Sequence, residues 1–302
     1  MAWDDEVRHF IPGIQMRLLV LGARGMLGSD ILRDWKSDEV IPANSADADI
    51  RDRQQVSALI SKVRPDWIVL TAAYTSVDGS ESNPDLAFAV NATGAGNVAR
   101  AASEHRARLF YVSTDYVFDG SSNRPYEASD PIRPLNVYGA SKAAGEWAVQ
   151  NYSKDWCIAR TSWLFGASRV SFPEKILKAS ETQAELSVVA DQVGSPTFTR
   201  DLADAILQLI RAEARSIVHI TNSGTCSWFE FAQEILRRAG RESIRVVPVT
   251  TPEYPLPARR PAYSVLSPTS LTQYGITTRD WKEALADYLK DLRQVYPLRP
   301  FC

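Results

Sequence analysis

RLLVLGARGMLGSDILRD, residues 17–34, is the stretch that decides the fold. It begins with an apolar run of strand length, Arg17–Leu21, and it ends in a helical pattern of apolar and polar residues. Between them Gly22, Gly25 and Gly28 stand in the order G-x-x-G-x-x-G. In this setting the first glycine permits a tight turn, the second lets backbone N–H groups approach a pyrophosphate, and the third lets the helix pack closely on the sheet. The stretch therefore predicts a dinucleotide-binding turn.

Arg24, inside this turn, bears on the choice of cofactor. The end of the second predicted strand, VIPANSAD, has no immediate acidic residue to hold an adenosine ribose 2′-hydroxyl. An arginine at position 24 is placed to pair with a 2′-phosphate instead. The pattern favours NADPH and leaves NADH open. A solvated surface arginine is the alternative interpretation of Arg24.

Further along the chain, strand-length apolar runs alternate with amphipathic helical patterns as far as Thr161. This alternation is typical of βαβ units with right-handed crossovers. We predict an α/β fold, with a doubly wound parallel sheet of the Rossmann type and a smaller C-terminal α+β substrate-binding domain. The predicted boundaries are residues 1–15 for an N-terminal extension, 16–162 and about 190–220 for the dinucleotide-binding domain, and about 163–189 and 221–302 for the substrate-binding domain.

The segment from Val246 to Pro268 interrupts the pattern. It contains six prolines and little periodicity. We expect an ordered but irregular loop region there, of the kind that lines a cleft.

Composition excludes several classes of function. The chain has 302 residues and a formal net charge of −2, so it has no basic field to hold DNA or RNA. No apolar run approaches the roughly 20 residues that cross a bilayer, and the acidic start lacks the order of a signal peptide. The scattered cysteines and histidines predict neither a disulfide framework nor a structural zinc site. We therefore expect a cytoplasmic protein without nucleic-acid or membrane partners.

Three side chains are predicted to act together at the ligand-binding edge of the sheet. Tyr138 and Lys142 form Y-x-x-x-K on a helical segment, where positions i and i+4 share a face. An ammonium beside a phenol favours the ionised phenol, whose pKa is otherwise about 10. Thr114 ends the strand RLFYVST, and residues just past a parallel strand face the ligand crevice. The arrangement predicts Tyr138 as acid–base, Lys142 as its activator and Thr114 as the group that orients a carbonyl.

Taken in order, several motifs of this chain resemble the dTDP-4-dehydrorhamnose reductase family of extended short-chain dehydrogenases/reductases. The likeness runs from about Met16 to Leu289 and is carried by TAAYTSVDGSES, STDYVFDG, PLNVYGASKAAGE, ARTSWLFG, VVADQVGSPTFTRDLA and RRPAYSVL. The resemblance implies NADPH- or NADH-dependent reduction of the C4 keto group of dTDP-4-dehydro-L-rhamnose. The product would be dTDP-L-rhamnose, a nucleotide sugar for cell-surface polysaccharide.

The resemblance also implies a role for individual residues. Tyr138 would donate the proton, Lys142 would activate it and contact the ribose, and Thr114 would orient the keto sugar. The resemblance implies eight further cofactor contacts. The pyrophosphate would be held by Gly25, Met26 and Leu27, and the adenine region by Asp49 and Ile50. The nicotinamide side would be contacted by Ala73, Tyr74 and Thr75.

The remaining substrate contacts come from three places in the chain. The resemblance implies that Asp115 would join Thr114 and that Trp163 would pack against the sugar or its base. From the residues alone, Arg259 and Arg260 of the proline-rich segment are candidates for the substrate diphosphate. A solvated or inter-domain arginine pair is the alternative.

Two positions depart from the family pattern. Some members are described as dimers joined by magnesium bound to acidic residues. Asp30 keeps an acid near one such position, but Arg200 occupies the other, and an arginine cannot coordinate a cation. We therefore expect no magnesium bridge and leave both a monomer and a homodimer open. Gly79 stands where relatives often carry lysine, which predicts altered contacts at the edge of the cleft.

Other functions remain open at this point. Another nucleotide-sugar reductase, an epimerase or a dehydratase would share the fold, but a dehydratase usually needs an Asp-Glu pair after the catalytic threonine. Here Asp115 is followed by Tyr116. A non-catalytic subunit resembling the regulatory β subunit of methionine adenosyltransferase is disfavoured, but not excluded, by the complete set of Thr114, Tyr138 and Lys142.

Overall fold

The structure is a computed structural model that describes residues 15–295, with side chains as far as Leu292. The predicted N-terminal extension lies outside the described residues except for its last position.

Twelve strands occur in this part of the chain. In chain order they are β1 (Arg17–Leu21), β2 (Glu39–Ala43), β3 (Trp67–Leu70), β4 (Arg108–Thr114), β5 (Trp156–Thr161), β6 (Leu164–Phe165), β7 (Glu185–Val189), β8 (Val193–Gly194), β9 (Thr197–Phe198), β10 (Ile217–His219), β11 (Cys226–Ser227) and β12 (Arg245–Val249).

The helices of the same part are α1 (Met26–Asp34), α2 (Arg53–Val63), α3 (Val77–Ser82), α4 (Pro84–Phe88), α5 (Ala95–Glu104), α6 (Val137–Tyr152), α7 (Phe172–Ala179), α8 (Thr199–Arg211), α9 (Trp228–Arg238), α10 (Thr269–Thr272) and α11 (Trp281–Val295). A π-helix, Ala89–Gly94, joins α4 to α5. None of the helices within residues 15–295 combines the length and the apolar character needed to span a bilayer.

The central sheet has six strands in the order β10-β5-β4-β3-β1-β2. Every neighbouring pair in it is parallel. The strand order reverses beside β1, and open α/β sheets bind ligands at such a switch point, beyond the carboxyl ends of the strands. The predicted α/β fold with a doubly wound parallel sheet is confirmed.

Both faces of this sheet are covered by helices. Because successive strand residues point to opposite faces, Leu18 and Val20 of β1 join a core with Ile206 of α8, whereas Leu19 and Leu21 join a core with α2 and α5. The side chains of β1 from Leu18 to Val20 are fully buried. Burial on both faces explains why this strand is a continuous apolar run.

A second region is built around aromatic residues of α9, α11 and the short strands. Phe165 of β6 stacks on Phe198 of β9 with ring centroids 5.5 Å apart, and Tyr288 of α11 meets Phe165 edge-on at 5.4 Å. Phe231 of α9 completes this cluster. This cluster is a second core apart from those of the six-stranded sheet, but it includes Phe198, which our proposed boundaries place in the dinucleotide-binding domain. The division of the chain at about 163–189 and 221–302 stays a proposal.

Two segments differ from the sequence-based expectation. Residues 245–249 of the supposedly irregular segment form β12, which pairs in parallel with β7 and places Pro248 opposite Val188. Proline is tolerated there because this sheet has only two strands, so both of them are edges. Leu271 and Ile276, which we had assigned to the smaller domain, pack into the core of the six-stranded sheet.

Candidate active site

The glycine turn closes as its spacing predicts. Gly22 has φ +95°, and a Cβ there would lie 2.5 Å from the backbone nitrogen of Ala72. A Cβ on Gly28 would lie 2.4 Å from the Gly22 carbonyl oxygen. Gly25 is the N-cap of α1 and supplies no side-chain cap, so the first turn of the helix offers its N–H groups to a ligand. The cradle fits a pyrophosphate.

This turn opens into a cavity of about 1090 Å³ that runs along the carboxyl edge of the sheet. Most of the predicted site residues line it. They are Gly22, Arg24, Gly25, Met26, Leu27, Gly28, Asp49, Ile50, Ala73, Thr75, Thr114, Asp115, Tyr138, Lys142 and Trp163.

Three predicted residues are not among those that line the cavity. The backbone of Tyr74 is held by Asn91, whose amide accepts from its N–H at 2.8 Å and donates to its carbonyl at 3.0 Å. Arg260 is bound to Asp78 of α3 at 2.6 Å, and Arg259 offers its carbonyl to Asn136 at 2.8 Å. The Arg260 side chain and the Arg259 backbone therefore connect the proline-rich segment to α3 and to the N-cap of α6, while the Arg259 side chain is exposed.

Tyr138 is placed by the start of α6. Asn136 caps the helix by accepting from the Gly139 N–H at 2.7 Å. A Cβ on Gly139 would lie 2.1 Å from the Tyr116 carbonyl oxygen, so only glycine allows the helix to approach this closely. Tyr116 then meets Tyr138 edge-on with ring centroids 6.0 Å apart.

Three hydroxyl or carboxyl groups meet at this point. Thr114 donates to Asp115 at 2.9 Å and also hydrogen-bonds Tyr138. Burial raises the pKa of Tyr138 to about 12, against the opposing effect of the Thr114 hydrogen bond. Burial also raises the pKa of Asp115 to about 7. The phenol is therefore protonated at neutral pH and is suited to donate a proton.

Lys142 lies one helical turn further on, on the same face of α6 as Tyr138. Its Nζ donates to the Val112 carbonyl at 2.7 Å and lies 4.0 Å from the centre of the Tyr111 ring. Burial lowers the pKa of Lys142 to about 7, and the charge of Glu146 opposes this. Burial has the largest effect on the pKa of Tyr138 in this structure, and the lowering of that pKa by Lys142 stays a prediction.

The far end of the cavity is an aromatic wall. Trp163, which adopts φ +48°, stacks on Trp228 with ring centroids 3.6 Å apart and planes 9° apart. Phe172 packs against Trp228 at 4.6 Å. A Cβ on Gly194 would lie 2.5 Å from the Trp163 ring, so this glycine makes room for the indole. Trp228 and Phe172 were missed by the sequence analysis because nothing in their local patterns links them to Trp163.

At the opposite end, charged groups surround the glycine turn. Asp49 is paired with Arg51 at 2.5 Å. The Arg169 guanidinium donates to the Arg24 carbonyl at 2.9 and 3.2 Å and so ties the smaller domain to the turn. The Arg24 side chain is exposed at the cavity and has no hydrogen-bond or ion-pair partner within residues 15–295. It remains a suitable group for a phosphate. Arg169 was also missed by the sequence analysis.

The residues near the doubted magnesium position are paired with arginines. Asp30 is hydrogen-bonded to Thr199 and lies 2.9 Å from Arg33. Arg200 binds Asp34 at 3.2 Å and Asp291 at 3.0 Å. Each carboxylate is thus neutralised by a guanidinium, and the donor set does not fit a divalent cation.

Comparisons with known proteins agree with the fold and the cavity. A family model described as the RmlD substrate binding domain matches residues 16–294. The spore coat polysaccharide biosynthesis protein SpsK of Bacillus subtilis is 42% identical over 91% of this chain and 97% of its own length. A dTDP-4-dehydrorhamnose reductase of Burkholderia thailandensis is 36% identical over 92% of this chain and 99% of its own length.

A solved structure is similar throughout. The crystal structure of dTDP-4-dehydrorhamnose reductase from Bacillus anthracis in complex with NADP superimposes with a TM-score of 0.90 at 37% identity, covering 92% of this chain and 100% of that one. Family model, sequence relatives and structure span the same nearly complete length. This chain therefore belongs to the RmlD substrate-binding family, the family of the dTDP-4-dehydrorhamnose reductases.

Proposed function

We propose that this chain reduces the C4 keto group of dTDP-4-dehydro-L-rhamnose to give dTDP-L-rhamnose, with NADPH as the preferred reductant and NADH as the weaker one. One observation carries the proposal. A protonated phenol, Tyr138, hydrogen-bonded to Thr114, lies within one cavity that starts at a pyrophosphate cradle and ends at an aromatic wall. Relatives named as reductases of this keto sugar support the choice of substrate.

Different residues of the cavity would hold the two ligands. The cofactor would lie at the glycine turn and the substrate at the aromatic wall. The N–H groups at the start of α1 would hold the pyrophosphate, and Arg24 would pair with the 2′-phosphate. The stacked pair Trp163 and Trp228 offers a flat surface to the nucleotide base or the sugar, as aromatic rings do in binding sites. When bound, the nicotinamide supplies the hydride that reduces the carbonyl carbon.

The protein supplies the proton and the orientation. With substrate bound, the Thr114 hydroxyl would turn its proton from Asp115 to the keto oxygen and hold that oxygen near the Tyr138 hydroxyl. As negative charge develops on that oxygen, the phenol transfers its proton to it and leaves an alcohol. Asp115 hydrogen-bonds the sugar beside this carbonyl. Lys142 would provide positive charge below the phenolate that remains, and it would contact the ribose of the bound cofactor.

The structure also bears on the rival reactions of the same fold. The position after Asp115, where a dehydratase needs a second carboxylate, holds Tyr116, whose ring packs against Tyr138. Burial raises the pKa of the Tyr116 phenol, so it cannot act as a base near neutral pH. This supports a reductase over a dehydratase.

We propose the cytoplasm as the location. The thiols of Cys157 and Cys226 are buried and unpaired, as is usual in a reducing compartment. The oligomeric state, a monomer or a homodimer, stays a prediction that light scattering on the purified protein measures.

The decisive experiment mixes purified protein with NADPH and a panel of nucleotide-linked 4-keto sugars and follows the loss of NADPH absorbance. We expect stoichiometric oxidation with dTDP-4-dehydro-L-rhamnose and a 6-deoxy sugar product. Conversion of the sugar without loss of NADPH would show an epimerase or dehydratase. Cofactor binding without turnover, together with co-purification of another enzyme, would show a regulatory subunit.

A further inference from the structure

Helix α6 carries a third ionisable group below the two proposed catalytic ones. Tyr138, Lys142 and Glu146 follow one another at intervals of four residues, a spacing that stacks side chains on one helix face. Glu146 is 1% exposed, and its partner Arg160 of β5 is 2% exposed. Neither is among the residues that line the cavity. This buried ion pair therefore has no part in the chemistry described so far.

The Glu146 carboxylate connects helix α6 to strands β4 and β5. Arg160 donates from Nε and Nη2 to its two oxygens at 2.9 and 2.7 Å. Ser113 of β4 donates to the same carboxylate at 2.5 Å. Ser113 and Arg160 are register partners across β4 and β5, and Ser113 immediately precedes Thr114. One carboxylate thus ties the α6 face to the ends of the two strands that meet the substrate.

The negative charge of Glu146 acts on Lys142, because it raises the pKa of that ammonium against the lowering effect of burial. On α6 the ionisable groups beside it are Tyr138 and Glu146. Strand β4 presents the Tyr111 ring and the Val112 carbonyl, and β5 presents Arg160, which is bound to Glu146. The π-helix contributes only the Asn91 carbonyl, which accepts from the Tyr111 hydroxyl at 3.3 Å.

A buried ion pair is a weak contributor to stability, since apolar side chains of similar volume often stabilise a protein as well. Its placement here has a more specific use. We propose that Glu146 is a positioning residue, which holds Lys142 in its charged form below Tyr138 and fixes Thr114 through Ser113. The effect of this role on turnover rests on the proposed function. The charge on Lys142, by contrast, can be measured without any substrate.

The test is a titration of Lys142 in the full-length protein carrying lysine labelled with carbon-13 at Cε, with its signal assigned from Lys142→Arg. In Glu146→Gln we expect the titration midpoint to fall by about one pH unit or more, because the neighbouring negative charge is gone. The pH at which kcat/KM begins to fall on the alkaline side, where Lys142 loses its charge, should move down with it. The matched control is Glu213→Gln, which removes a carboxylate bound to Arg108 at 2.6 Å outside the cleft. It should leave the Lys142 midpoint unchanged.

A second variant is included in case Glu146→Gln does not fold. Glu146→Gln leaves Arg160 charged and buried, so it is paired with Glu146→Gln/Arg160→Gln, which removes both charges. Circular dichroism and thermal melting identify the folded variants. If folded Glu146→Gln has the same Lys142 titration midpoint as the wild type, the proposal is overturned. If the midpoint shifts while the wild type oxidises no NADPH with any keto sugar, the reductase proposal fails and the positioning role stands.

Discussion

At the glycine end of the cleft, Gly22, Gly25 and Gly28 lie within one turn of chain and bind through backbone groups. At the aromatic end, Trp163 meets Trp228 from a distant helix, and the surface they offer is made of side chains alone. The first end depends on the absence of side chains, and the second depends on their packing. Substitutions should therefore separate the two ends, with cofactor affinity responding at one and sugar-nucleotide affinity at the other.

The largest effect is expected between the two ends, where the proton is transferred. Tyr138→Phe keeps the ring and its contact with Tyr116 but removes the proton. We expect kcat to fall by roughly 10²–10⁴-fold, with the NADPH dissociation constant unchanged. Steady-state kinetics and fluorescence titration measure the two quantities. Residual turnover within tenfold of the wild type would remove Tyr138 from the mechanism.

Gly28→Ala tests the glycine end. Its Cβ would lie 2.4 Å from the Gly22 carbonyl oxygen, so the turn or α1 must shift. We expect a loss of about 1–3 kcal/mol in the free energy of unfolding and a clear loss of NADPH affinity. The control is Gly96→Ala in α5, whose Cβ would make only an ordinary contact of 3.4 Å with Ala148. That change should be neutral or stabilising. Equal damage from both substitutions would contradict the assignment.

Trp228→Ala tests the aromatic end. Removing one ring of the stacked pair should raise KM for the sugar nucleotide roughly tenfold. The NADPH dissociation constant should stay the same, because the glycine turn is untouched. Trp147→Ala is the control, since Trp147 is 58% exposed on α6 and does not line the cavity. A joint loss of both affinities in Trp228→Ala would show that the ends are not separable.

The smallest effect is expected at Arg24. Arg24→Ala should reduce the preference for NADPH over NADH by roughly tenfold, the value of one hydrogen bond to a charged group. Arg53→Ala is the matched control, because Arg53 pairs with Glu104 at 2.7 Å on the surface. Initial rates at limiting concentrations of each cofactor give the ratio. If Arg24→Ala leaves this ratio unchanged, Arg24 does not bind the 2′-phosphate.

The sequence predicted the glycine end better than the aromatic end. Gly22, Gly25 and Gly28 are neighbours in the chain, so their spacing already specifies the turn. Tyr138 and Lys142 were placed on one helix face for the same reason. Helical spacing does not show that the Lys142 ammonium also donates to the Val112 carbonyl, so the sequence missed that contact. Arg260 was expected at the diphosphate because the sequence cannot show that Asp78 lies beside it.

The sequence by itself determined the dinucleotide turn, the alternation of strands and helices as far as Thr161, and the helix face that carries Tyr138 and Lys142. These features depend on residues close together in the chain, whose relative positions follow from backbone geometry. Only the tertiary structure decided that Trp228 stacks on Trp163, that Arg169 reaches the glycine turn, and that Arg160 meets Glu146. Such contacts join distant segments, and they form because folding buries both partners together in a closely packed interior.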